Sequence, residues 1–210
     1  MGFYRDRVYP QLVQRLGDPP PIQRLRRKLL AEAHGAALEI GVGPGVNFAY
    51  YDPAKVSKLY ALEPNTEMVR LAELRRRGIL LDIEFLGLPG ERIPLADASV
   101  DTVVSTFTLC TIPGVEEAIR GVKRVLKPGG RLIFFEISTS SDPRVRRWQR
   151  RWEPLHRRLF EGLCLTRDIP GLLQEAGFSM ATVETGCMSR FPKSWSHCCW
   201  GVALAGTRVP

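Results

Sequence analysis

The stretch at residues 36–46, Ala-Ala-Leu-Glu-Ile-Gly-Val-Gly-Pro-Gly-Val, constrains the fold more than any other part of the chain. The apolar residues that precede Gly41 predict a buried parallel strand. Gly41, Gly43 and Gly45 then follow at every second position, which predicts a tight turn with little side chain in the way. A ligand can approach the main chain of such a turn closely, and a helix that begins after it offers free N–H groups. The stretch therefore predicts a ligand-binding turn at the end of a parallel strand.

Strand and helix patterns alternate after this turn. Short apolar runs predict six further strands, at 57–63, 82–86, 100–107, 131–137, 180–187 and 199–207. The run at 100–107, the fourth strand, is rich in β-branched residues. Helical patterns lie between most of them, at 47–51, 65–77, 114–126, 142–160 and 168–175. Alternation of this kind predicts a doubly wound α/β sheet. No clear helix separates the last two strands, so we expect them to form an antiparallel hairpin at one edge of the sheet.

Two amphipathic helices, at 3–16 and 22–32, precede the first strand. The second carries its leucines and Ile22 on one side, and the pattern puts its basic residues on the other sides; these are Arg24, Arg26, Arg27 and Lys28. Because both helices fall outside the strand–helix alternation, we expect them to pack on the sheet or to cover a pocket.

Composition narrows the classes of function. The formal net charge of +8 favours acidic partners such as nucleic acid, anionic lipid or an anionic small molecule, although a solvated basic surface is an equal alternative. The cysteines are odd in number and show no paired spacing, and the three histidines are scattered, which argues against a disulfide framework and against a metal site. No run of about 18 apolar residues is present, and the N-terminus lacks the apolar core of a signal peptide. We expect a cytoplasmic protein.

Polar residues and turns fall where the predicted strands end, which is where open parallel sheets bind ligands. Glu63 ends the second strand 18 positions after Gly45, a spacing typical of a carboxylate that accepts hydrogen bonds from ribose hydroxyls. The alternative role for Glu63 is to cap the next helix. The turn at 88–91 follows the third strand and can hold an adenine edge, and the segment 106–110 follows the fourth strand and forms the floor under a reacting group.

Four motifs occur together in the order and at the spacing of a known family: 38–45 (Leu-Glu-Ile-Gly-Val-Gly-Pro-Gly), Glu63-Pro64, 93–101 (Ile-Pro-Leu-Ala-Asp-Ala-Ser-Val-Asp) and 125–131 (Val-Leu-Lys-Pro-Gly-Gly-Arg). They resemble class I S-adenosylmethionine-dependent methyltransferases. The resemblance implies a Rossmann-like, seven-stranded, mostly parallel sheet whose last strand is antiparallel, with S-adenosylmethionine as the cofactor. It implies cofactor-binding roles for a set of residues along the strand ends: Glu39, Gly41, Gly43, Gly45, Asn47, Glu63, Pro64, Gly90, Glu91, Thr106 and Thr108.

The chain departs from this pattern at Pro89, where many class I members carry an acidic residue that receives the adenine amino group. Proline cannot do so, and the backbone N–H of Gly90 or Glu91, or the Glu91 side chain, would have to serve. The resemblance divides one domain, 1–210, into an N-terminal helical cap (1–34), a cofactor-binding core (36–137), and acceptor-side helices with a C-terminal hairpin (138–210).

A narrower resemblance extends further along the chain. It rests on Gly90-Glu91, 108–110, Glu136, Trp148-Gln149, Pro154, His156 and 160–167 (Phe-Glu-Gly-Leu-Cys-Leu-Thr-Arg). These resemble the small methyltransferase-like family that methylates alkyl thiols, and imply S-methylation of a small or lipidic, largely apolar acceptor. N-methylation of an amine or a phospholipid head group, RNA methylation, and a non-catalytic cofactor-binding module stay open as alternatives. Animal members are anchored to membranes by an apolar N-terminus, and residues 1–34 show no such apolar segment.

Two residues are candidates for a base on the acceptor side, His156 and Glu136. For each, the alternative is a structural hydrogen bond, and a thiol or amine acceptor does not strictly require a base. The segment 142–160 interleaves arginines with Trp148 and Trp152, a composition that suits anionic lipid or RNA. The alternative is a solvated basic helix face whose apolar residues form a pocket wall for a hydrophobic acceptor; these are Trp148, Trp152, Leu155, Leu159 and Phe160. We expect peripheral contact with an anionic membrane through the basic helices ahead of nucleic acid.

Overall fold

The computed structural model describes residues 9–11, 18–187 and 192–206. Its strands are β1 (Gly35–Ile40), β2 (Val56–Leu62), β3 (Ile83–Leu86), β4 (Val100–Thr106), β5 (Leu126–Ile137), β6 (Phe178–Cys187) and β7 (His197–Ala205). Its helices are α1 (Pro20–Leu30), α2 (Thr66–Arg75), α3 (Val115–Val125), α4 (Pro143–Leu159), α5 (Ile169–Glu175) and α6 (Lys193–Ser196), with a 3₁₀ helix at Val46–Tyr50. The described elements match the predicted ones to within a few residues, apart from β5, which begins earlier, and α6, which was not predicted.

The seven strands form one sheet in the order β3-β2-β1-β4-β5-β7-β6. Strands β1 to β5 pair in parallel, and β7 runs antiparallel to both β5 and β6. The strand order reverses direction between β1 and β4, and a crevice opens at such a switch point beyond the carboxyl ends of the strands. The predicted α/β class, the seven strands and the antiparallel last strand are confirmed.

The central strands are buried on both faces, as the continuous apolar runs predict. Leu38 and Ile40 of β1 pack into one hydrophobic layer, whereas Ala37 packs into the other. Val103 and Val104 of β4 divide between the same two layers. Alternation along each strand therefore builds a core on either side of the sheet and holds the strand ends rigid.

The sequence predicts that Lys127-Pro128-Gly129-Gly130 ends a helix and that the next strand begins at residue 131. Helix α3 does end at Val125, but Leu126 already pairs with Val100 before a shift in register. A side chain at Gly130 would come within 2.9 Å of the Lys127 carbonyl oxygen, so the Pro-Gly-Gly sequence lets the chain turn inside the strand.

The N-terminal predictions are partly tested. Of the predicted helix at 3–16, only residues 9–11 are described, and they are helical. Arg26 is not on an outer face of α1: it is buried, 5% exposed, on the side that carries Ile22 and Leu29. Steps of four and three residues place these positions on one stripe, and the charge of Arg26 concealed that pattern. The short helix α6 also lies before β7, where no helix was predicted.

Within the described residues, none of the helices combines the length and apolarity that a membrane crossing requires.

Candidate active site

A cavity of 790 Å³ lies at the carboxyl ends of the central strands. This volume is near the upper end of the range for small-molecule sites. Its walls come from the glycine turn, the end of β2, the turn at 89–91, the loop after β4, and helices α1, α4 and α6. Two groups of lining residues are treated separately below. The glycine-turn group comprises Gly41, Gly43, Glu63, Gly90 and Glu91, and the aromatic group comprises Phe107, His156, Phe160 and Trp195.

The glycine turn is shaped by two glycines with different surroundings. Gly41 has φ +65°, and a Cβ there would lie 2.3 Å from the Thr108 side chain. Gly43 has φ +55°, and a Cβ there would meet no protein atom within 4 Å. Gly41 is therefore fixed by close packing, whereas the face of Gly43 is open for a ligand.

Glu63 joins this turn to the end of β2. One carboxylate oxygen accepts a hydrogen bond from the Gly43 N–H at 2.9 Å, and the other accepts one from the Asn65 N–H at 2.9 Å. Glu63 is 8% exposed and lines the cavity, as does Pro64 beside it. A carboxylate held by two backbone N–H groups presents its remaining lone pairs in a fixed direction.

Gly45 was predicted to bind the cofactor, and its position does not support direct contact. It is not among the residues that line the cavity. Its φ is +75°, and a Cβ would lie 2.6 Å from the Phe48 ring. Gly45 precedes the 3₁₀ helix and lets the turn pack closely on Phe48, so its role is to shape the turn.

A buried polar network supports the glycine turn from behind. The Asn47 amide donates to Glu39 at 2.8 Å and to Thr106 at 3.0 Å, and Tyr51 donates to the other Glu39 oxygen at 2.8 Å. Burial raises the pKa of Glu39 to about 7, against the opposing effects of these hydrogen bonds and of the Arg26 charge. Glu39, Asn47 and Thr106 line the cavity as predicted, but much of their hydrogen-bonding capacity is used within the protein.

Arg26 completes this network and was not predicted to be part of the site. Its guanidinium donates to the Asn47 amide oxygen and to the Thr106 hydroxyl, and pairs with Asp18 at 3.2 Å. Burial lowers the pKa of Arg26, while the charges of Asp18 and Glu39 act in the opposite direction. The guanidinium also lies 5.7 Å from the centre of the Phe107 ring, which brings helix α1 onto the cavity.

The loop after β4 is held from both sides of its backbone. Glu136 accepts hydrogen bonds from the backbone N–H groups of Thr108, Leu109 and Cys110 and from the Ser105 hydroxyl. Arg167 donates to two carbonyl oxygens of the same loop, those of Leu109 and Ile112. Because both its donors and its acceptors are satisfied by fixed side chains, the loop is a rigid floor for the cavity.

This arrangement corrects the predicted role of Glu136 as a base. Glu136 is fully buried and does not line the cavity. Burial raises the pKa of its carboxyl group, and the hydrogen bonds to Ser105 and the loop act against that rise. Four donors occupy its oxygens, so Glu136 is badly placed to take a proton from an acceptor and acts as a positioning residue for the loop.

Phe107, the first residue after β4, has a left-handed backbone with φ +56°. Non-glycine residues adopt this conformation at a cost and concentrate at functional sites. Its N–H donates to the Phe135 carbonyl at 2.8 Å, and the two rings pack with their centres 4.4 Å apart. The surrounding structure thus turns the Phe107 ring to line the cavity.

His156 lines the cavity within an aromatic wall. It is 5% exposed, its ring centre lies 4.9 Å from that of Trp195, and 5.5 Å separates it from the ring of Phe160. His156 Nδ1 lies 3.0 Å from the Trp152 carbonyl oxygen. A carbonyl only accepts, so that bond places the hydrogen on Nδ1 and leaves the lone pair of the neutral ring on Nε2.

The turn at 89–91 closes the other side. Gly90 is buried, and a Cβ there would lie 2.5 Å from the Ile112 side chain. One Glu91 carboxylate oxygen accepts from the Gly114 N–H at 3.2 Å, and both Gly90 and Glu91 line the cavity as predicted. Of the predicted site residues, only Gly45 and Glu136 stay outside the lining. Phe107 lines the cavity within the predicted floor at 106–110, whereas Arg26 and Trp195 were missed.

Comparisons with known proteins agree with this geometry. A methyltransferase-domain family model matches residues 38–134. The chain is 35% identical to human thiol S-methyltransferase TMT1B over 153 residues, which are 71% of this chain and 62% of that protein. It is 33% identical to human thiol S-methyltransferase TMT1A over 160 residues, 75% of this chain and 64% of that protein. The chain therefore spans less than two thirds of the length of these relatives.

A solved structure extends the likeness of fold to nearly the whole chain. The crystal structure of an S-adenosylmethionine-dependent methyltransferase from Aquifex aeolicus superposes with a TM-score of 0.65, covering 93% of this chain and 98% of that one at 20% identity. The sheet topology gives the chain the Rossmann-like fold of class I S-adenosylmethionine-dependent methyltransferases, and the glycine turn lies within the residues that match the methyltransferase-domain family. Within this class, the relatives that it resembles over about 70% of its length carry the name thiol S-methyltransferase.

The residues present fit S-adenosylmethionine, the cofactor of this class. The open face of Gly43 admits a ligand onto the main chain, and the adjacent Glu63 carboxylate suits ribose hydroxyls. Pro64 and Met68 add apolar surface to the same side of the cavity. The predicted cofactor is confirmed, and the individual contacts stay predictions.

Proposed function

We propose that this chain methylates the sulfur of a small, largely apolar thiol. The observation that carries the proposal is the aromatic group, which continues the lining of the cavity beyond the glycine turn with Phe107, His156, Phe160 and Trp195. Such a wall suits an apolar acceptor and offers no cluster of charges for a phosphorylated one. The names of the human relatives support sulfur as the atom that receives the methyl group.

The chain's own residues supply position, exclusion of water and a place for the proton. Gly43 and Glu63 would hold S-adenosylmethionine, which would supply a methyl group activated by the positive charge of its sulfonium and would leave as the neutral thioether. Holding the reacting atoms in line at about 3 to 3.5 Å can lower the barrier by roughly 7 to 11 kcal/mol. The rigid floor held by Glu136 and Arg167 and the cover formed by α1 and α4 serve that purpose.

The thiol must lose its proton to become a good nucleophile, because the thiolate is the reactive form. His156 lines the cavity, and its bond to the Trp152 carbonyl leaves Nε2 to accept a proton. We propose His156 as the residue that takes the proton from the acceptor thiol. General base catalysis of this kind contributes about 10²- to 10⁴-fold.

A methyl-transfer screen tests the acceptor class. The chain is incubated with S-adenosylmethionine labelled in the methyl group and with alkyl thiols, aminophospholipids or RNA in separate reactions. We expect labelled thioether from the thiols and none from the other two. Label only in phospholipid would favour the alternative of N-methylation, and label only in RNA would exclude both small-molecule proposals.

The role of His156 is tested by replacing it with glutamine and varying the pH. Near pH 7, where an alkyl thiol is mostly protonated, we expect His156→Gln to lower kcat/KM by at least about tenfold. Above the pKa of the thiol the acceptor ionises by itself, so the loss should shrink. A loss of the same size at both pH values would assign His156 to packing rather than to proton transfer.

We further propose a reducing compartment, the cytoplasm, as the setting. All five cysteines lie in described parts of the chain, and each is free. This state agrees with a reducing environment, where thiols persist.

A further inference from the structure

The outer surface of α4 carries a stripe of exposed apolar side chains. Six large hydrophobic residues are exposed in the described parts of the chain, and three of them lie on this helix: Trp148 (52%), Leu155 (45%) and Leu159 (41%). They are spaced by seven and four residues, which places them within about 40° of one another around the helix axis. We call these three residues the apolar stripe.

Arginines adjoin this stripe along one side. Arg144, Arg147, Arg151 and Arg158 are all exposed and occupy the neighbouring arc of about 80°. No described acidic side chain forms an ion pair with any of the four. We call them the flanking arginines.

The acidic residues of this region do not neutralise that charge. Asp142 caps the helix by accepting from the Arg144 N–H at 2.8 Å. Glu153 faces the segment before α5, where it accepts from the Thr166 N–H at 2.8 Å and from the Thr166 hydroxyl at 2.6 Å. The outer surface of α4 is thus apolar along one line and positively charged along the next.

We propose that this surface docks on an anionic lipid bilayer, with the apolar stripe among the head groups and the flanking arginines on lipid phosphates. Helices with Trp and Leu on one face and Arg on the adjoining face bind in this way at membrane interfaces. Each arginine near an anionic surface adds to the attraction. Nucleic acid satisfies the arginines and can stack on Trp148, but offers no apolar phase to Leu155 and Leu159.

Docking would place the bilayer next to the cavity. His156 of α4 lines the cavity and lies about 80° around the helix axis from Trp148, so the cavity adjoins the face that docks. An apolar acceptor that partitions into lipid would then be concentrated beside the site. The docking does not depend on methyl transfer and is tested by binding alone.

The test compares two triple variants of the full chain that carry the same change in charge. Arg144→Glu/Arg147→Glu/Arg151→Glu alters three of the four flanking arginines. Arg146→Glu/Arg150→Glu/Arg157→Glu alters exposed arginines at least about 140° from the apolar stripe. Both are sedimented with vesicles of phosphatidylcholine alone and with about 30% phosphatidylserine added, after circular dichroism confirms that they fold.

We expect the wild type to bind the phosphatidylserine vesicles and not the neutral ones. The first triple variant should lose at least about tenfold in vesicle affinity relative to the second. Equal losses in the two variants would mean that net charge alone attracts the chain, and would overturn the proposal.

A second measurement tests the apolar stripe. Trp148→Ala/Leu155→Ala keeps the charge and should weaken vesicle binding by about tenfold, whereas binding to single-stranded RNA should not change. The Trp fluorescence of the wild type should shift to shorter wavelength on vesicles, and Trp148→Phe should remove the shift. Unchanged vesicle binding by the double alanine variant, or binding to RNA but not to vesicles, would contradict the docking.

Discussion

The glycine-turn group and the aromatic group line one cavity but are built in different ways. In the first, the main chain determines the geometry: the face of Gly43 is open, and backbone N–H groups fix the Glu63 carboxylate. In the second, the His156 ring of α4 packs on the rings of Phe160 and Trp195, and the Phe107 ring packs on Phe135. The difference is that the glycine-turn group is shaped by backbone geometry, whereas the aromatic group is assembled from side chains of distant segments.

The largest expected effect concerns the joint between the two groups, which is Arg26. Arg26→Met removes a buried guanidinium that donates to Asn47 and Thr106 and pairs with Asp18, and should lower the free energy of unfolding by about 3 kcal/mol. Arg24→Met, an exposed arginine on the same helix, is the matched control and should change it by less than about 0.5 kcal/mol. Urea unfolding of both variants measures the difference, and equal effects would show that the buried network does not hold α1.

The next effect is a pH dependence of stability that arises from Glu39, behind the glycine turn. Glu39 has a pKa of about 7 in the folded protein against an ordinary value of 4.5, so the folded state binds its proton more tightly than the unfolded state. Its contribution to stability is therefore fully present below about pH 4.5 and is lost as the pH rises towards 7. Glu39→Gln keeps the neutral form at every pH.

Urea unfolding at pH 5 and pH 8 checks this prediction. Between the two pH values, the wild type should lose on the order of 3 kcal/mol more than Glu39→Gln. Parallel pH dependences in the two proteins would mean that Glu39 ionises in the folded state as easily as in the unfolded one.

A smaller effect on stability distinguishes Gly43 from Gly41 in the glycine-turn group. Gly43→Ala places its Cβ in open space, so it should lower the free energy of unfolding only by the strain of a left-handed alanine, about 1 to 2 kcal/mol. The same Cβ should obstruct S-adenosylmethionine. Gly41→Ala adds a clash with Thr108 and should cost at least about 1 kcal/mol more. Thermal unfolding ranks the stabilities of the two variants, and titration of Gly43→Ala with S-adenosylmethionine tests the obstruction. Tight binding of S-adenosylmethionine by Gly43→Ala would place the cofactor away from the glycine turn.

The smallest effect is expected on the acceptor side, at Trp195. Its indole N–H is buried and has no hydrogen-bond partner among the described residues, so Trp195→Phe should change the free energy of unfolding by less than about 1 kcal/mol. Affinity for S-adenosylmethionine should stay the same, and the KM for an alkyl thiol should change. Loss of S-adenosylmethionine binding by Trp195→Phe would mean that the aromatic group also binds the cofactor, and would contradict the division into two groups.

The same contrast explains how far the sequence could predict the molecule. Strand periodicity, glycine spacing and the acidic residue at the end of β2 are local signals, and they located the sheet, the turn and Glu63. Arg26 and Glu136 were misread because a charged residue in a pattern does not reveal what surrounds it: one completes a buried network, and the other binds a loop. Trp195 was missed because only the fold brings α6 beside His156.

Calorimetric titration with S-adenosylmethionine tests the central claim most directly. The wild type should bind one molecule per chain, and Glu63→Gln should weaken the binding by about ten- to hundredfold, since hydrogen bonds to a charged group contribute about 1.5 to 3 kcal/mol. Glu84→Gln, an exposed carboxylate on β3, should leave the affinity unchanged. No binding by the wild type, or equal affinities of the wild type and Glu63→Gln, would contradict a methyl-donor site at the glycine turn.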